Sequence, residues 1–417
     1  MAQVDTAART AEAVFPAGEC WPCWIDVDLD AIAANVRALR QVIGPRVRLV
    51  AVVKAQAYGL GAEMVARTAL AAGADGLAVA RVHEGVRLRR QGIRAPILLL
   101  TGFAPGEVDA LVAHGLTPTV VDHDQLWQLA AAARRARVRL PVHVKVDTGL
   151  HRYGAAADTA LALAEAIARS EDFALEGFYT HFATADAADL SFAREQVLRF
   201  RALCEQLAAR GLRPRYLHAA NSAGTLALPE AHFDLVRTGL GIYGYYATAA
   251  VPRRVPLRPA VTLWARVARL LTVAPGQTVG YGRTYRATRP LRAALLTIGY
   301  ADGLPGSHYR GGYVLLGGQR ADIIGRISMD QCVVDITRCP DVRVGDCAVV
   351  LGRQGEEVID LDAFAERSGS IPHEVLTSLG GRVPRVYWQE GRVVAMATLA
   401  GEEWLPAPEG LATARRD

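Results

Sequence analysis

The 417-residue chain has no run of about 18 apolar residues, the length that a helix needs to cross a membrane. Its six cysteines are too sparse for a disulfide framework in a protein of this size. The formal net charge is only +5, and the arginines are scattered rather than clustered. These deficits argue against a membrane protein, a disulfide scaffold and a nucleic-acid-binding protein. With 51% hydrophobic and 21% charged residues, the composition is typical of a globular protein with a large core.

The N-terminal segment also lacks the basic start and apolar core of a secretory signal. We therefore expect a disordered leader over residues 1–23 and a cytoplasmic location. Cys20 and Cys23 have the spacing of a redox motif or of half a zinc site, but no second pair at metal spacing follows. The sequence thus predicts no metal site. Residues 405–417 are expected to form a tail.

Apolar segments alternate with amphipathic ones from residue 46 to about residue 245. An eightfold strand–helix alternation predicts a closed parallel (β/α)8 barrel. An open doubly wound sheet is the alternative, but no G-x-G-x-x-G motif follows an early strand. The predicted strands begin near Val47, Leu77, Ile97, Pro118, Val142, Leu175, Tyr216 and Leu235.

The pattern changes near residue 250, where three prolines punctuate a linker and a period of two begins at Val261. The predicted fold class is therefore α/β, with an N-terminal (β/α)8 barrel over residues 24–252 and a C-terminal mostly-β domain over residues 253–404. Residues 24–28 precede the barrel pattern and are candidates to pair with the second domain. Its strand candidates are Leu291–Ile298, Tyr313–Leu316, Ile323–Ile327, Cys332–Ile336, Ala348–Leu351 and Val383–Tyr387.

A lysine stands at the end of an apolar strand. Lys54 follows five apolar residues and opens into a glycine-containing turn that carries Tyr58. Burial disfavours the ammonium form, and a neutral lysine attacks carbonyl carbons. Such a lysine can hold the aldehyde of pyridoxal 5′-phosphate (PLP). The alternative is a lysine at the barrel rim whose amine simply reaches water.

Four polar clusters follow other predicted strands, at the strand ends where barrel enzymes keep their active sites. They cover residues 147–154, 180–186, 218–224 and 236–244. Taken alone, His181 is equally compatible with a core histidine, and Arg237 with a partner of a structural carboxylate. Together with Lys54, the four clusters predict an active site.

These segments resemble those of alanine racemases, from about Trp24 to Tyr387. The resemblance implies a PLP-dependent enzyme that interconverts L-alanine and D-alanine. It also implies a homodimer in which each active site is shared between two subunits. The motifs that carry it are Val52-Val53-Lys54-Ala55-Gln56-Ala57-Tyr58-Gly59, Val146-Asp147-Thr148-Gly149, Thr180-His181-Phe182-Ala183, Asn221-Ser222, Gly282-Arg283-Thr284-Tyr285, Gly299-Tyr300-Ala301-Asp302-Gly303 and Ser328-Met329-Asp330-Gln331.

Two residues match the catalytic bases of that family. Lys54 matches the lysine that binds PLP and moves a proton on one face of the substrate. Tyr281 matches a tyrosine that the partner subunit contributes on the opposite face. Racemisation removes a proton from one face of Cα and returns one to the other face, so the chemistry requires a base on each side.

Other residues match cofactor and substrate positions of the family. Arg237 matches the arginine that faces the PLP pyridine nitrogen, and with His181 it matches the residues that support the tyrosine. Arg152 matches an arginine near the PLP phenolic oxygen and the substrate carboxylate, and Lys145 matches a lysine that is carbamylated in many members. The remaining matches are cofactor positions at Tyr58, Asn221, Ser222, Gly239 and Leu240, and substrate positions at Met329 and Tyr300.

The chain departs from the family pattern at four positions. Gln56 replaces the usual asparagine and Leu60 the usual histidine, both beside the cofactor turn. Gly306 and Gly381 stand where relatives carry an arginine and a tyrosine, respectively. Two glycines in place of large side chains suggest that amino acids larger than alanine, such as serine, are accepted.

Three other functions compete with this interpretation. A decarboxylase of the same fold type needs a carboxylate at the pyridine nitrogen and a cysteine–aspartate pair, which Arg237 and Tyr281 oppose. A non-enzymatic PLP carrier would be a single barrel without the β-rich domain. A binding module that has lost catalysis is opposed by the occupied catalytic positions.

Overall fold

The structure is a computed structural model that describes residues 21–404. The predicted tail, Cys20 and most of the predicted leader lie outside the described residues. The strands are β1 Cys23–Asp28, β2 Arg48–Val52, β3 Gly76–Val79, β4 Ile97–Leu99, β5 Thr119–Val120, β6 Leu140–Lys145, β7 Phe173–Tyr179, β8 Tyr216–His218, β9 Leu235–Thr238, β10 Val261–Val273, β11 Thr278–Val279, β12 Tyr285–Arg286, β13 Leu291–Leu296, β14 Tyr313–Leu316, β15 Gln319–Ile323, β16 Cys332–Asp335, β17 Cys347–Gln354, β18 Glu357–Ile359, β19 Arg385–Gln389, β20 Arg392–Thr398 and β21 Gly401–Trp404.

The helices alternate with the barrel strands along the chain, and two of them lie in the C-terminal part. None of them, within residues 21–404, is long and apolar enough to cross a membrane. They are α1 Leu29–Ile43, α2 Lys54–Tyr58, α3 Ala62–Ala71, α4 Val82–Arg90, α5 Val108–Ala113, α6 His123–Ala136, α7 Ala157–Arg169, α8 Ser191–Ala209, α9 Ser222–Ala227, α10 Leu361–Ser368 and α11 Pro372–Ser378.

One compact unit comprises residues 31–58 and 62–258 and contains eight parallel strands. They form two sheets, in the orders β4-β3-β2-β9 and β5-β6-β7-β8. A parallel bridge between Leu98 and Thr117 joins the two sheets on one side. On the other side, the amide of Arg237 donates to the Ala220 carbonyl oxygen at 3.0 Å, which links β9 to the end of β8. The predicted (β/α)8 barrel is confirmed, and the open sheet is excluded.

The helix α8 shows why the outer segments are helical. Its apolar residues recur every three or four positions, so that Val197, Phe200 and Leu207 are buried on one face. Arg194 and Arg201 lie on the exposed face. The strands between such helices contribute fully buried residues on both faces, as parallel strands inside a barrel must.

The second unit contains residues 21–30, 59–61 and 259–404 of the described chain. Its main sheet has eleven strands, in the order β18-β17-β14-β15-β16-β13-β10-β1-β19-β20-β21. The strand β1 pairs antiparallel with β10 and parallel with β19. The mostly-β class of this part is confirmed, and the predicted boundary at residues 252 and 253 stays a prediction.

A buried carboxylate joins three neighbouring strands of this sheet. Asp26 accepts indole N–H groups from Trp24 at 3.2 Å, from Trp264 at 2.8 Å and from Trp388 at 2.8 Å. These tryptophans lie on β1, β10 and β19. The carboxylate thereby accepts from three buried N–H groups. Without a hydrogen-bond partner, each of these groups would lower the stability of the fold.

A turn replaces the end of one predicted strand. The predicted strand Ile323–Ile327 is wrong, because the strand runs from Gln319 to Ile323 and then ends in a turn. Gly325 has φ of +72°, and a Cβ atom there would lie 2.5 Å from the carbonyl oxygen of Val279. The chain must therefore turn where its apolar residues suggest a strand.

Burial raises the pKa of the Cys23 thiol to about 12, which disfavours the thiolate that metal binding needs.

Candidate active site

The turn that begins at Lys54 is left-handed. Ala55, Gln56 and Ala57 have φ of 52°, 55° and 54° and ψ of 50°, 43° and 53°, and Tyr58 has φ of 56°. Each such residue costs about 1–2 kcal/mol relative to a right-handed conformation. Non-glycine residues held in this region are often found at functional sites. The backbone immediately after Lys54 is therefore strained and must be held by its surroundings.

A glutamate from α4 holds this turn. Glu84 Oε1 accepts the amide N–H of Ala55 at 2.5 Å. Its second oxygen accepts the amides of Ala80 at 2.8 Å and Arg81 at 2.9 Å, at the start of α4. One carboxylate thus fixes the Lys54 turn to the neighbouring β3–α4 connection. No sequence spacing revealed Glu84, because the contact depends on two parallel strands lying side by side.

The two departures next to Lys54 lie in different environments. Gln56 is exposed and adopts the left-handed conformation, which asparagine tolerates better than glutamine. Leu60 is completely buried. The backbone of the turn is therefore left-handed at position 56, although glutamine favours that conformation less than asparagine does.

The Lys54 amine is shifted towards its neutral form. Burial lowers its pKa, the positive charge of Arg152 lowers it further, and the negative charge of Glu84 opposes the shift. A lower pKa increases the fraction of neutral amine, which is the nucleophilic form. The burial of the amine and its charged neighbours favour a functional lysine at position 54 over a lysine whose amine only reaches water.

Lys145 is the second lysine of the site, and the whole chain contains only these two. It ends β6, and its pKa is lowered to about 7 by burial and by the charges of Arg237 and Arg152. Its Nζ atom lies 5.4 Å from the ring centroids of both Tyr153 and Tyr179. The scarcity of lysine is a signal that the sequence interpretation overlooked.

Positive groups dominate this end of the barrel. Burial lowers the pKa of His181 well below its usual value, and four cationic groups lower it further. Positive charges this close repel one another, and an anionic ligand would reduce that repulsion. The four groups are Arg237, Lys145, Arg152 and Lys54.

Arg237 is fixed inside the barrel. Its Nη1 atom donates to His218 Nδ1 at 2.6 Å, and Nη2 donates to the carbonyl oxygens of Thr180 and Ala219, each at 2.9 Å. Nη2 also lies 3.2 Å from Nδ1 of His181. Burial lowers the pKa of Arg237 to about 10, so the guanidinium stays charged at neutral pH. Within the described residues, its Nε–H and one Nη1–H remain for a ligand.

A pocket of hydroxyl and amide groups lies beside these cations. Ser222 Oγ accepts the amides of Gly239 at 2.9 Å and Gly241 at 3.2 Å. A Cβ atom on Gly239 would lie 2.3 Å from the Tyr58 hydroxyl, so glycine lets the two segments meet. Burial raises the pKa of Tyr58 to about 12, which keeps its hydroxyl protonated. Hydroxyls and backbone amides of this kind bind phosphate groups.

The last two predicted cofactor residues flank this pocket. Leu240 follows Gly239 and is buried. Asn221 Oδ1 accepts the amide of Gly224 at 2.9 Å and thereby caps α9. The capping bond gives Asn221 a local structural role, which sequence reasoning did not assign.

The other predicted residues lie in the β-rich unit. Tyr281, Tyr300 and Met329 expose 72%, 51% and 52% of their surface. The amide of Tyr300 donates to the Ser328 carbonyl oxygen, and the amide of Ala301 donates to that of Met329, both at 3.1 Å. The structure therefore brings the Tyr300 and Met329 loops together within this unit and leaves their side chains open.

Comparisons with known proteins agree across both units. Residues 27–247 match the family model "Alanine racemase, N-terminal domain", and residues 260–387 match "Alanine racemase, C-terminal domain". The chain is 42% identical to alanine racemases of Carboxydothermus hydrogenoformans and Symbiobacterium thermophilum, covering 88% of this chain and 99% and 98% of those proteins. It also resembles the crystal structure of alanine racemase from Bacillus anthracis with bound L-Ala-P. That match has a TM-score of 0.86 and 34% identity, and covers 92% of this chain and 99% of the other.

The Glu84 contacts generate a first prediction. Glu84→Ala removes the acceptor of three backbone amides, and we expect it to lower the free energy of unfolding by about 1–2 kcal/mol. It should also lower the pKa of the Lys54 amine, because the Glu84 charge raises that pKa. Denaturant unfolding and the pH dependence of Lys54 acylation measure the two effects.

Glu107→Ala is the matched control for this variant. Glu107 accepts the Ala104 amide at 2.8 Å and does not contact the Lys54 turn. The control should lose stability while leaving Lys54 acylation unchanged. The role of Glu84 is contradicted if both variants give the same acylation profile.

Proposed function

The chain belongs to the alanine racemase family of isomerases, and we propose that it interconverts L-alanine and D-alanine with PLP and two bases, Lys54 and Tyr281. The observation that carries this proposal is the Lys54 amine. Its pKa is lowered, and it belongs to a cluster of cations in the barrel unit that also holds a hydroxyl and amide pocket. A cytoplasmic location and a role in D-alanine supply are part of the same proposal.

The residues present fit PLP. The dianionic phosphate would be held by Tyr58, Ser222 and the backbone of Leu240, with the Gly239 amide fixing Ser222 Oγ, and it would offset the excess of positive charge. Asn221 would support this pocket by capping α9. When bound, PLP supplies an electron-withdrawing ring that stabilises negative charge at the substrate Cα.

Arg237 would face the pyridine nitrogen. Three of its N–H groups are already directed at His218, Thr180 and Ala219, so the orientation of the guanidinium is set by the protein. The Nε–H, one of the two N–H groups that remain, would donate to the nitrogen. Guanidinium does not readily release a proton, so the nitrogen would stay largely unprotonated. That limits electron withdrawal and disfavours side reactions such as transamination.

The two bases act on opposite faces of Cα. Lys54, whose pKa is lowered by burial and by Arg152, would accept or return a proton on one face. Tyr281 would do the same on the other face, with His181 and Arg237 supporting its charge. Arg152 and the Met329 backbone would orient the substrate carboxylate, and Tyr300 would line its approach.

A homodimer would complete each site. Tyr281, Tyr300 and Met329 are large side chains that stay exposed in a single copy. Exposed aromatic and apolar groups of this kind are characteristic of interface residues. We propose that they enter the barrel site of a second copy, so that an isolated subunit is inactive.

Solvent exchange tests the two-base proposal. We expect Tyr281→Phe to lose racemisation by a factor of about 100 or more while still exchanging the Cα proton of one enantiomer with D2O. Lys54→Ala should lose exchange with both enantiomers, because it also loses the attachment of PLP. Proton NMR of L-alanine and D-alanine measures both rates.

The matched control for this test is Tyr313→Phe, which removes a tyrosine hydroxyl on β14 of the same unit. It should keep racemisation and both exchanges. Exchange of both enantiomers at equal rates in Tyr281→Phe would contradict the assignment of Tyr281 as one of two bases.

Lys145 is proposed to be carbamylated. Its pKa of about 7 leaves much of the amine neutral at pH 8, and the neutral form adds CO2. The carbamate is an anion, so repulsion from Arg152 would become attraction. With 13C-bicarbonate, we expect a carbamate NMR signal that grows as pH rises through about 7 and is absent in Lys145→Met. If the mass of the protein corresponds to unmodified Lys145 at every pH, carbamylation is contradicted and the neutral amine is the remaining form.

Two glycines support a broad substrate range. A Cβ atom on Gly306 or Gly381 would meet no atom within 4 Å. We expect measurable racemisation of serine, and Gly381→Tyr should lower the ratio of serine to alanine turnover by about tenfold. Cα–H exchange with a panel of amino acids measures the ratio, and Gly391→Ala, in a β-turn, is the control. Negligible turnover of every larger amino acid by the unmodified chain would contradict the proposal.

A further inference from the structure

A chain of polar side chains crosses the inside of the barrel from Arg237. Its Nη1 atom lies 2.6 Å from Nδ1 of His218, and Nε2 of His218 lies 2.9 Å from Nδ1 of His143. Nε2 of His143 then lies 3.4 Å from Oε2 of Glu176. The four residues stand on β9, β8, β6 and β7, so the contacts run across the barrel from strand to strand.

The chemistry of its ends fixes the direction of every hydrogen bond. Arg237 can only donate, so Nδ1 of His218 must accept and its proton must lie on Nε2. That proton points at His143 Nδ1, which in turn places the His143 proton on Nε2. A carboxylate can only accept, and Oε2 of Glu176 lies 3.4 Å from this last nitrogen, at ion-pair distance. The tautomers follow from donor and acceptor types, without a free choice.

The charge states of the two histidines and of Glu176 support the same arrangement. Burial lowers the pKa of His143, and it lowers that of His218 well below the usual value, so both rings are neutral at neutral pH. The hydrogen bond with His143 lowers the pKa of Glu176, which keeps the carboxylate ionised. A cation and an anion are therefore joined by two neutral imidazoles with aligned N–H dipoles, and such bonds strengthen one another.

Packing holds the two rings in this geometry. The His218 ring stacks on Tyr179 with a centroid distance of 4.4 Å and an interplanar angle of 8°. The His143 ring lies against Gly177, where a Cβ atom would be 2.2 Å from His143 Nδ1. Glycine at this position leaves the space that the ring occupies. The arrangement is built into the core rather than formed by mobile surface groups.

Glu176 lies at the end of the barrel opposite Lys54. It borders a cavity of about 230 Å³ that is also lined by the first residues of four strands, namely Arg48, Gly76, Tyr216 and Leu235. Lys54, in contrast, follows the last residues of β2. The barrel end that carries the predicted site and the far end are thus connected by two hydrogen bonds and one contact at ion-pair distance.

We propose that Glu176 is a positioning residue for Arg237, and that through His143 and His218 it weakens the donation of the Arg237 guanidinium to its ligand. The carboxylate makes His143 a better acceptor, His143 does the same for His218, and His218 draws the Nη1 proton of Arg237 towards itself. The positive charge that Arg237 presents to the ligand is reduced accordingly. As a statement about the cofactor, this inference rests on the proposed function.

The set of contacts from Glu176 through His143 and His218 to Arg237 is called the relay here. Nitrogen-detected NMR of histidine tests the relay without relying on catalysis. In the holoenzyme labelled with 15N-histidine, we expect Nδ1 of His218 to be unprotonated and both rings to be neutral. Glu176→Gln should move the N–H proton resonances of His143 and of His218 upfield, because each hydrogen bond weakens. Glu176→Asp keeps the charge and should restore most of the shift. Glu165→Gln, which breaks the ion pairs of Glu165 with Arg169 and Arg210 outside the barrel, should change neither ring.

A second readout asks whether the effect reaches the cofactor. Stronger donation by Arg237 should raise abortive transamination, measured as pyruvate and pyridoxamine phosphate formed per racemisation, by about fivefold in Glu176→Gln. Gly177→Ala, which displaces the His143 ring, should have the same effect. A merely structural role would lower stability and leave this ratio unchanged.

The outcomes separate the inference from the proposed function. Histidine resonances that do not respond to Glu176→Gln, or a response that stops at His143, would overturn the relay whether or not alanine is racemised. A response that reaches His218 with an unchanged side-product ratio would overturn its effect on Arg237. Absence of racemisation in the unmodified chain would overturn the proposed function and leave the NMR result standing.

Discussion

A fixed positive charge inside the barrel is the constraint on which the rest of the site depends. Arg237 is fully buried and remains charged, and its hydrogen-bond partners in the described chain are carbonyl oxygens and imidazole nitrogens, none of them a carboxylate. Groups that surround an unpaired buried cation are driven towards their neutral forms. Lys145, His181 and His218 all show this effect, with burial as the larger cause. The site is thereby prepared for an anion and for a neutral lysine.

The fold supplies this charge distribution through parallel strands. Adjacent strands end side by side, so residues far apart in sequence come close. Lys54 follows the end of β2, and Arg237 lies on the neighbouring strand β9. The left-handed turn after Lys54 is then held by Glu84 from the next β–α connection. Strain of several residues is tolerable because a large, well-packed barrel offsets it. Glycines at 177 and 239 let aromatic side chains approach the backbone closely enough to complete the arrangement.

Much of this structure was predictable from the sequence, and the remainder was hidden for identifiable reasons. Alternating apolar periodicity predicts the barrel, since eight repeats of strand and helix have few other solutions. The left-handed turn was not predictable, because Ala55, Gln56 and Ala57 are not the residue types that favour it. Glu84 and Glu176 act through contacts between strands, which no local spacing reveals. The strand predicted at residues 323–327 failed because the backbone of Gly325 lies against another segment.

The central claim is that Lys54 is the residue to which PLP is bound. The chain makes this unusually direct to test, since Lys145 is its only other lysine. Borohydride reduction of the holoenzyme, followed by peptide mass spectrometry, fixes the cofactor to the amine that holds it. We expect a phosphopyridoxyl group on the Lys54 peptide and none on the Lys145 peptide. A label on Lys145, or no label on a PLP-saturated protein, would contradict it.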